Sequence, residues 1–307
     1  MISEDFIRRF TEVANSPAPD LAPAAFLIAR LEYPRLDTSP YLDQLDDMGR
    51  EAAARVGALG DDAGAARRVS AISDYLFTEQ GFAGNQDHYD DPRNSFLNEV
   101  LDRRTGIPIT LALVYMEVSR RAGVPIHGVN FPGHFLLKSP LEPGASGGGG
   151  NQVIVDPFHD GAILSEGDCE SLLQRYAGKD AAFDPRLLAR ATKLEILIRM
   201  LVNLKQIYVK LRSFPQAHAV TRLLLGLDPS AMTELRDRGL LAYHLNHYQA
   251  ALRDLEAYLR FTARPEEADS DGDGNADGDG DGDGEKDEHA EIWEHVKALR
   301  RRVASLN

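Results

Sequence analysis

Apolar residues in the first 85 positions recur at helical spacing. Ile7, Phe10 and Val13 share one face and Leu27, Ile28 and Leu31 another, with Ser16-Pro17-Ala18-Pro19-Asp20 breaking the pattern between them. Residues 41–59 and 65–77 read as two further helices, with faces rich in Ala and Arg. No chemical motif falls in this segment, and its periodic faces predict packing against a core. Phe96, Leu97, Val100 and Leu101 begin a new helical stripe. Leu111, Val114, Tyr115 and Val118 form another, ended by Gly123 and Pro125. The period then shortens. Residues 126–131 read as a strand and Pro132-Gly133 as a tight turn. His134 opens a second strand, and residues 153–155 form a third that runs into Asp156. The glycine-rich stretch 140–151 is the flexible connection between those two strands. Ser165-Glu166-Gly167-Asp168 reads as a capping box that opens a helix to Tyr176.

After Asp184-Pro185 the pattern is wholly helical and carries a period of 34: Leu201 matches Leu235, Phe214 matches Tyr248, Ala217 matches Ala251 and Leu225 matches Leu259. Pro229 closes the first unit, and Pro265 closes the second two residues late. An aromatic residue, a small residue three positions on and a closing proline look like a tetratricopeptide repeat. Ala217 and Ala251 would let paired helices approach closely. An ordinary helical bundle with a chance period is the plainer reading. Two units are too few for a long solenoid. A last helix over 290–305 adds a stripe of Ile292, Val296, Leu299 and Val303.

The chemistry concentrates between Asp91 and Lys138 and just beyond. Its order is a helix N-terminus, a strand, a His at a strand start and an Asp at a strand end. That order resembles the transglutaminase-like superfamily, a branch of the papain-type fold. There a Cys at a helix N-terminus attacks, a His serves as its base and an Asp orients the His. Gly123-Val124-Pro125 matches the family's helix end, His134 its His and Asp156-Pro157 its Asp-Pro. The closer resemblance is to the bacterial SirB-like family, a transglutaminase-like domain followed by tetratricopeptide-like repeats. It rests on Asn94-Ser95-Phe96-Leu97-Asn98, Gly106-Ile107-Pro108-Ile109-Thr110, Phe131-Pro132-Gly133-His134-Phe135 and Val155-Asp156-Pro157-Phe158, and it covers most of the chain. The fold it implies is α+β. A helical segment (1–85) precedes a transglutaminase-like core (86–184). All-α repeats (185–264), an acidic linker (265–289) and a final helix (290–307) follow.

The departure from the family is at the nucleophile. Counting back from Gly123 puts the attacking residue near Pro108, and a slip of two puts Thr110 there. A helix N-terminus lowers a thiol's pKa, which is why a Cys belongs at that place. Proline has no nucleophilic atom, and a secondary hydroxyl needs a strongly placed base. The candidate catalytic residues are therefore His134 and Asp156, with Thr110 as the one hydroxyl; the plainer reading of Thr110 is a hydroxyl bonded to nearby backbone. The resemblance implies that Asn94, Asn98 and Glu99 line a cleft beside His134. From sequence alone the polar run 87–102 reads as capping and turn chemistry, with Asp91 an N-cap and Pro92 at the first helical position. Pro108 and Ile109 complete the candidate binding set, because amides after Pro108 at a helix start would attract an anion. His127, His134, Asp156 and His159 have no recognised zinc spacing, so no metal and no cofactor is expected. Cys169 follows the capping box and is expected to be packed; in this fold the nucleophile precedes the His.

Composition narrows the setting. The 307 residues suffice for two domains with a sizeable core. MISEDFIRRF has no apolar run after its charges, and no stretch approaches about 20 apolar residues. A single Cys excludes an intramolecular disulfide and fits a reducing cytoplasm. The net charge of −14 is local: residues 266–288 hold twelve acids and one Lys, a net of −11. The nearly neutral remainder gives no nucleic-acid surface. Within that segment Asp277, Asp279, Asp281, Asp283 and Glu288 fit a calcium-loop template, but Gly284 replaces its apolar anchor and no helix enters it. A solvated linker is the plainer reading. The expected function is a non-catalytic protein that binds a peptide or protein partner through its repeats and keeps a His-Asp pair in a cleft. The alternative is a Cys-independent hydrolase or acyl transferase with His134 as general base.

Overall fold

A computed structural model describes residues 2–60, 62–140, 152–262 and 282–304, with side chains from 289 onward in the last stretch. The connection over 141–151, Pro265 and the calcium-loop positions Asp277, Asp279 and Asp281 lie outside the described residues, as do the side chains of Asp283 and Glu288. The chain divides into two units, one of Arg8–Ile207 and one of Met1–Ile7 with Tyr208–Asn307.

In the first unit helices come early. They are α1 (Glu4–Ala14), α2 (Ala22–Ala29), α3 (Ser39–Gly57) and α4 (Ala65–Ser73), which continues as a π-helical turn to Glu79. Then follow β1 (Ala83–Gly84), a 3-10 turn (Pro92–Ser95), α5 (Leu97–Arg103), β2 (Thr105–Gly106) and α6 (Pro108–Arg121). Local sequence sets the boundaries. Asp91 caps the 3-10 turn by accepting from the Arg93 amide at 3.0 Å, with Pro92 next in line. Pro108 occupies the first position of α6, where a missing N–H costs nothing. Gly123, at φ +72°, ends it in the left-handed region. The stripe on α6 understates its burial. Pro108 through Tyr115 are all buried, so this helix is surrounded rather than laid on a surface.

The sheet that follows is antiparallel, in the order β3 (His127–Val129), β4 (Leu136–Lys138), β5 (Ile154–Asp156), β6 (Ala162–Leu164). Leu137 pairs with Val155, and Asp156 with Ala162. One expectation is corrected. His134 does not open a strand: its amide donates to the Phe131 carbonyl at 3.0 Å, closing the turn, and β4 begins at Leu136. β6 and the parallel pair β1–β2 were not anticipated from the sequence. Helix α7 (Glu166–Ala177) opens with the predicted box, Ser165 and Asp168 bonding each other's amides. It packs Cys169, Leu172 and Leu173 against Val129, Phe131, Leu136 and Ile154 of the sheet.

A second 3-10 turn (Pro185–Leu188) leads to α8 (Lys193–Lys210), α9 (Phe214–Leu227), α10 (Met232–His244), α11 (Tyr248–Thr262) and α12 (Gly282–Ala304). The period of 34 is structural. Phe214 and Tyr248 are the first residues of α9 and α11, and Ala217 and Ala251 are fully buried. Arg212 (φ +56°) and Asn246 (φ +61°), also 34 apart, turn the chain in the left-handed region just ahead of them. Ile292, Val296 and Leu299 bury against Ala251, Leu255 and Leu259. The apolar stripe from 290 marks only part of α12, which starts at Gly282.

Candidate functional site

His134 sits at the tip of the β3–β4 turn and Asp156 at the end of β5, two strands that pair through Leu137 and Val155. The pairing brings the two side chains together: His134 Nε2 lies 2.9 Å from Asp156 Oδ1, and both residues are 2% exposed. The Phe158 amide donates to the same oxygen at 2.9 Å. The other oxygen, Oδ2, lies 2.7 Å from His159 Nδ1. Burial alone would raise the Asp156 carboxyl's pKa. Hydrogen bonds from His134, His159 and the Phe158 amide outweigh it and hold the group below the usual carboxylate range. An ionised carboxylate only accepts, so His134 donates from Nε2; in a neutral imidazole Nδ1 is then the acceptor.

Aromatic rings close around this pair. Tyr176, on α7, stacks on the His134 ring at 5.8 Å between centroids and 12° between planes. Gly133 permits it, since a Cβ there would stand 2.4 Å from Tyr176 Cβ. Phe158 meets His134 edge-on at 6.1 Å, and Tyr89 meets Phe158 edge-on at 5.9 Å. Phe158 rides over Gly84, where a Cβ would come within 2.6 Å of its ring. Tyr89 and Tyr176 are 42% and 46% exposed, so they form the solvent side of the cluster.

The remaining predicted residues serve other ends. Thr110 is buried, and its hydroxyl donates to the Asn94 carbonyl at 2.7 Å while accepting from the Ile107 amide at 3.1 Å. Asn94 is buried too. Its amide donates to the carbonyls of His88 (2.8 Å) and Tyr89 (3.2 Å), and its oxygen accepts from Asn85 at 3.0 Å. Thr110 and Asn94 thus hold the loop that carries Tyr89. Asn98 is buried, with no hydrogen-bond partner for its Oδ1 among the described residues. Glu99 accepts from the Tyr33 hydroxyl at 2.7 Å. Tyr33 lines an open cleft of about 790 Å³ with Arg35, Asp37, Tyr41 and Asp102. Tyr41 donates to Asp102 at 2.8 Å, and burial together with that carboxylate pushes its phenol up to about 12. The anion expectation at α6 is corrected. Pro108 and Ile109 are buried, and the amides of Thr110 and Leu111 donate to the Ile107 carbonyl.

Cys169 is fully buried, and burial with the charges of Asp168, Glu166 and Asp156 pushes its thiol up to about 11. His134, Asp156 and His159 bring one donor atom each to within 4.8 Å of one another; His127, on β3, is not part of the group. Sequence reasoning missed Tyr89 and Tyr176 as site residues. Tyr176 gives no local signal, because the β3–β4 turn that meets it is some 40 residues away.

Comparison with known proteins identifies the two domains. Residues 39–202 match the transglutaminase-like superfamily and residues 204–272 the tetratricopeptide repeat. A UPF0162 protein of Xylella fastidiosa is 36% identical over 253 residues, 81% of this chain and 86% of the relative. The UPF0162 protein of Pseudomonas aeruginosa is 33% identical over 255 residues, 83% of this chain and 89% of the relative. F-box only protein 21 of Mus musculus is 31% identical over 182 residues, 58% of this chain but 28% of that protein. No solved structure matches the chain at a significant level.

Proposed function

This chain belongs to the transglutaminase-like superfamily, and from that premise we propose that it is a non-catalytic, SirB-like member that binds a peptide or protein partner through its tetratricopeptide-like helices. One observation carries the reading: the hydroxyl at the expected nucleophile position, that of Thr110, is buried and committed to the Asn94 carbonyl. Cys169 offers no substitute, since a buried thiol with a raised pKa is a poor nucleophile. The repeat unit also exposes large apolar side chains, Leu211 at 51%, Phe261 at 72% and Trp293 at 42%, and partner-binding surfaces are built from such residues. Among the described residues no helix is long and apolar enough to cross a membrane.

A second reading, a Cys-independent hydrolase or acyl transferase, is favoured by the contact of His134 Nε2 with Asp156, since a neutral imidazole donating there would turn its Nδ1 to water as a general base. The two readings separate in one experiment. Hydrolysis of an activated ester and of a glutamine amide is measured for the full chain, His134→Ala and Pro108→Cys. Binding predicts turnover in His134→Ala within about twofold of the parent and no gain in Pro108→Cys. A general base is worth about 10²–10⁴-fold, so a loss of that size in folded His134→Ala would establish the enzyme instead. In the binding arm, cross-linking in cells identifies a partner. Phe261→Asp or Leu211→Asp is expected to weaken its binding to the purified chain at least tenfold, and unchanged affinity in both would remove the repeats from the interaction.

A further inference from the structure

We propose that His134, Asp156 and His159 form a binding site for a divalent transition-metal ion of the Zn²⁺ or Co²⁺ class. The three side chains converge from the end of one strand, β5, and from two turns, β3–β4 and β5–β6. His134 Nε2 is 2.9 Å from Asp156 Oδ1, His159 Nδ1 is 2.7 Å from Oδ2, and all three donor atoms lie within 4.8 Å of one another. Ligands about 2.0–2.2 Å from a single ion stand roughly 3–3.5 Å apart, so an ion can take the place of the two shared protons, each moving to the other nitrogen of its own imidazole, with donor shifts of about an ångström. The backbone holds the set in place. After Asp156 the chain folds back through Asp160 (φ +53°) and Gly161 (φ +71°), with the Gly161 amide bonded to the Asp156 carbonyl and the Ala162 amide to that of His159. This turn seats His159 over the carboxylate. Stacking of Tyr176 fixes the His134 ring, and the Phe158 amide fixes the carboxylate.

Access and donor chemistry define the ion. The His134 and Asp156 side chains are 1% and 3% exposed, but that of His159 is 42% exposed and gives an ion an entry path. Three protein donors leave a position for water. Two imidazoles and one carboxylate suit borderline ions, whereas Ca²⁺ and Mg²⁺ favour all-oxygen sets. The acidic run 266–288 supplies only oxygens and would compete for the hard ions alone. The inference does not depend on partner binding or on turnover.

The test is calorimetric titration of Zn²⁺ into the full chain with millimolar Ca²⁺ present to occupy the acidic run, alongside the visible spectrum with Co²⁺. The expected result is one ion per chain, a Co²⁺ spectrum of nitrogen-containing low coordination, and a melting temperature raised by Zn²⁺. His159→Gln is expected to weaken binding at least tenfold and to abolish the metal-dependent rise in melting temperature. Its unliganded melting temperature should stay near that of the parent, because His159 is partly exposed. Absence of a calcium-resistant site, or equal Zn²⁺ affinity in His159→Gln, would overturn the proposal.

Discussion

Glu117 shows how far a single residue can depart from its local pattern. In the sequence it stands close to Ser119, Arg120 and Arg121 at the end of α6. In the structure its side chain is 2% exposed. One oxygen accepts from the amides of Leu21 (2.6 Å) and Ala22 (3.2 Å), the otherwise unpaired donors that open α2. The other binds Arg120 at 3.0 Å and Arg121. Burial alone would raise this carboxyl's pKa; Arg121, the Leu21 amide and Arg120 together lower it instead. Removing one member of a buried charged set costs about 3–5 kcal/mol, because the partners stay buried and unpaired. Glu117→Ala is expected to lose stability of that order in urea unfolding. A loss below about 1 kcal/mol would mean that water replaces the carboxylate. His134 and Asp156 were readable at this scale because the resemblance to the transglutaminase-like superfamily marks both, His134 after the Pro132-Gly133 turn and Asp156 at a strand end. His159 was readable only as a neighbour of Asp156, and its bond to Oδ2 needed the β5–β6 turn.

The repeat helices show what spacing alone can carry. The identity of Phe214 and Tyr248 as first helical residues, and the burial of Ala217 and Ala251, follow from a period visible in the sequence. The contact that α10 makes with α11 does not. It is set by Gly239, where a Cβ would stand 2.7 Å from Leu255 Cγ and Cδ2, and by Arg238, which donates two hydrogen bonds to the buried Asp254 carboxylate at 2.6 and 2.9 Å. Two effects oppose each other in Gly239→Ala. Helix propensity favours Ala by about 1 kcal/mol, while overpacking a filled contact costs about 1–3 kcal/mol. Leu255 is fully buried and has little room to yield, so a net destabilisation of about 1 kcal/mol is expected in chemical denaturation. A more stable variant would show that the helices separate at no cost.

At the scale of the whole molecule, charge is distributed unequally in sequence and in burial. Most of the net −14 lies in the run 266–288, whereas the buried carboxylates whose pKa values are lowered, Glu117 and Asp156, lie in the transglutaminase-like unit. A carboxylate whose folded pKa is below its unfolded value adds stability that is complete above the unfolded value, near 4. That stability is lost as pH falls through the folded one. The transglutaminase-like unit should therefore weaken progressively below about pH 4. In the other unit the lowered carboxylates, Asp228 and Glu294, are at the surface and count for little. The single tryptophan, Trp293, lies in α12 and reports on the repeat unit. On acid titration, loss of tyrosine near-ultraviolet dichroism is expected to precede the change in Trp293 fluorescence. Coincident transitions would contradict this placement of the pH-sensitive groups.

The resemblance to the transglutaminase-like superfamily pointed to the His134–Asp156 pair. By itself the sequence determined the helices, the change from period 3.6 to period 2 and back, the repeat of 34 and the caps at Asp91, Pro108 and Ser165, all of which are written in spacings of a few residues, or in a repeat long enough to see. Only the tertiary structure decided that Thr110 bonds to Asn94, that Tyr176 covers His134, that Glu117 caps α2 and that His159 completes a three-donor group. Each of those is a contact between segments distant in sequence, or across a turn whose geometry comes from strand pairing, and one-dimensional periodicity holds no record of which surfaces meet.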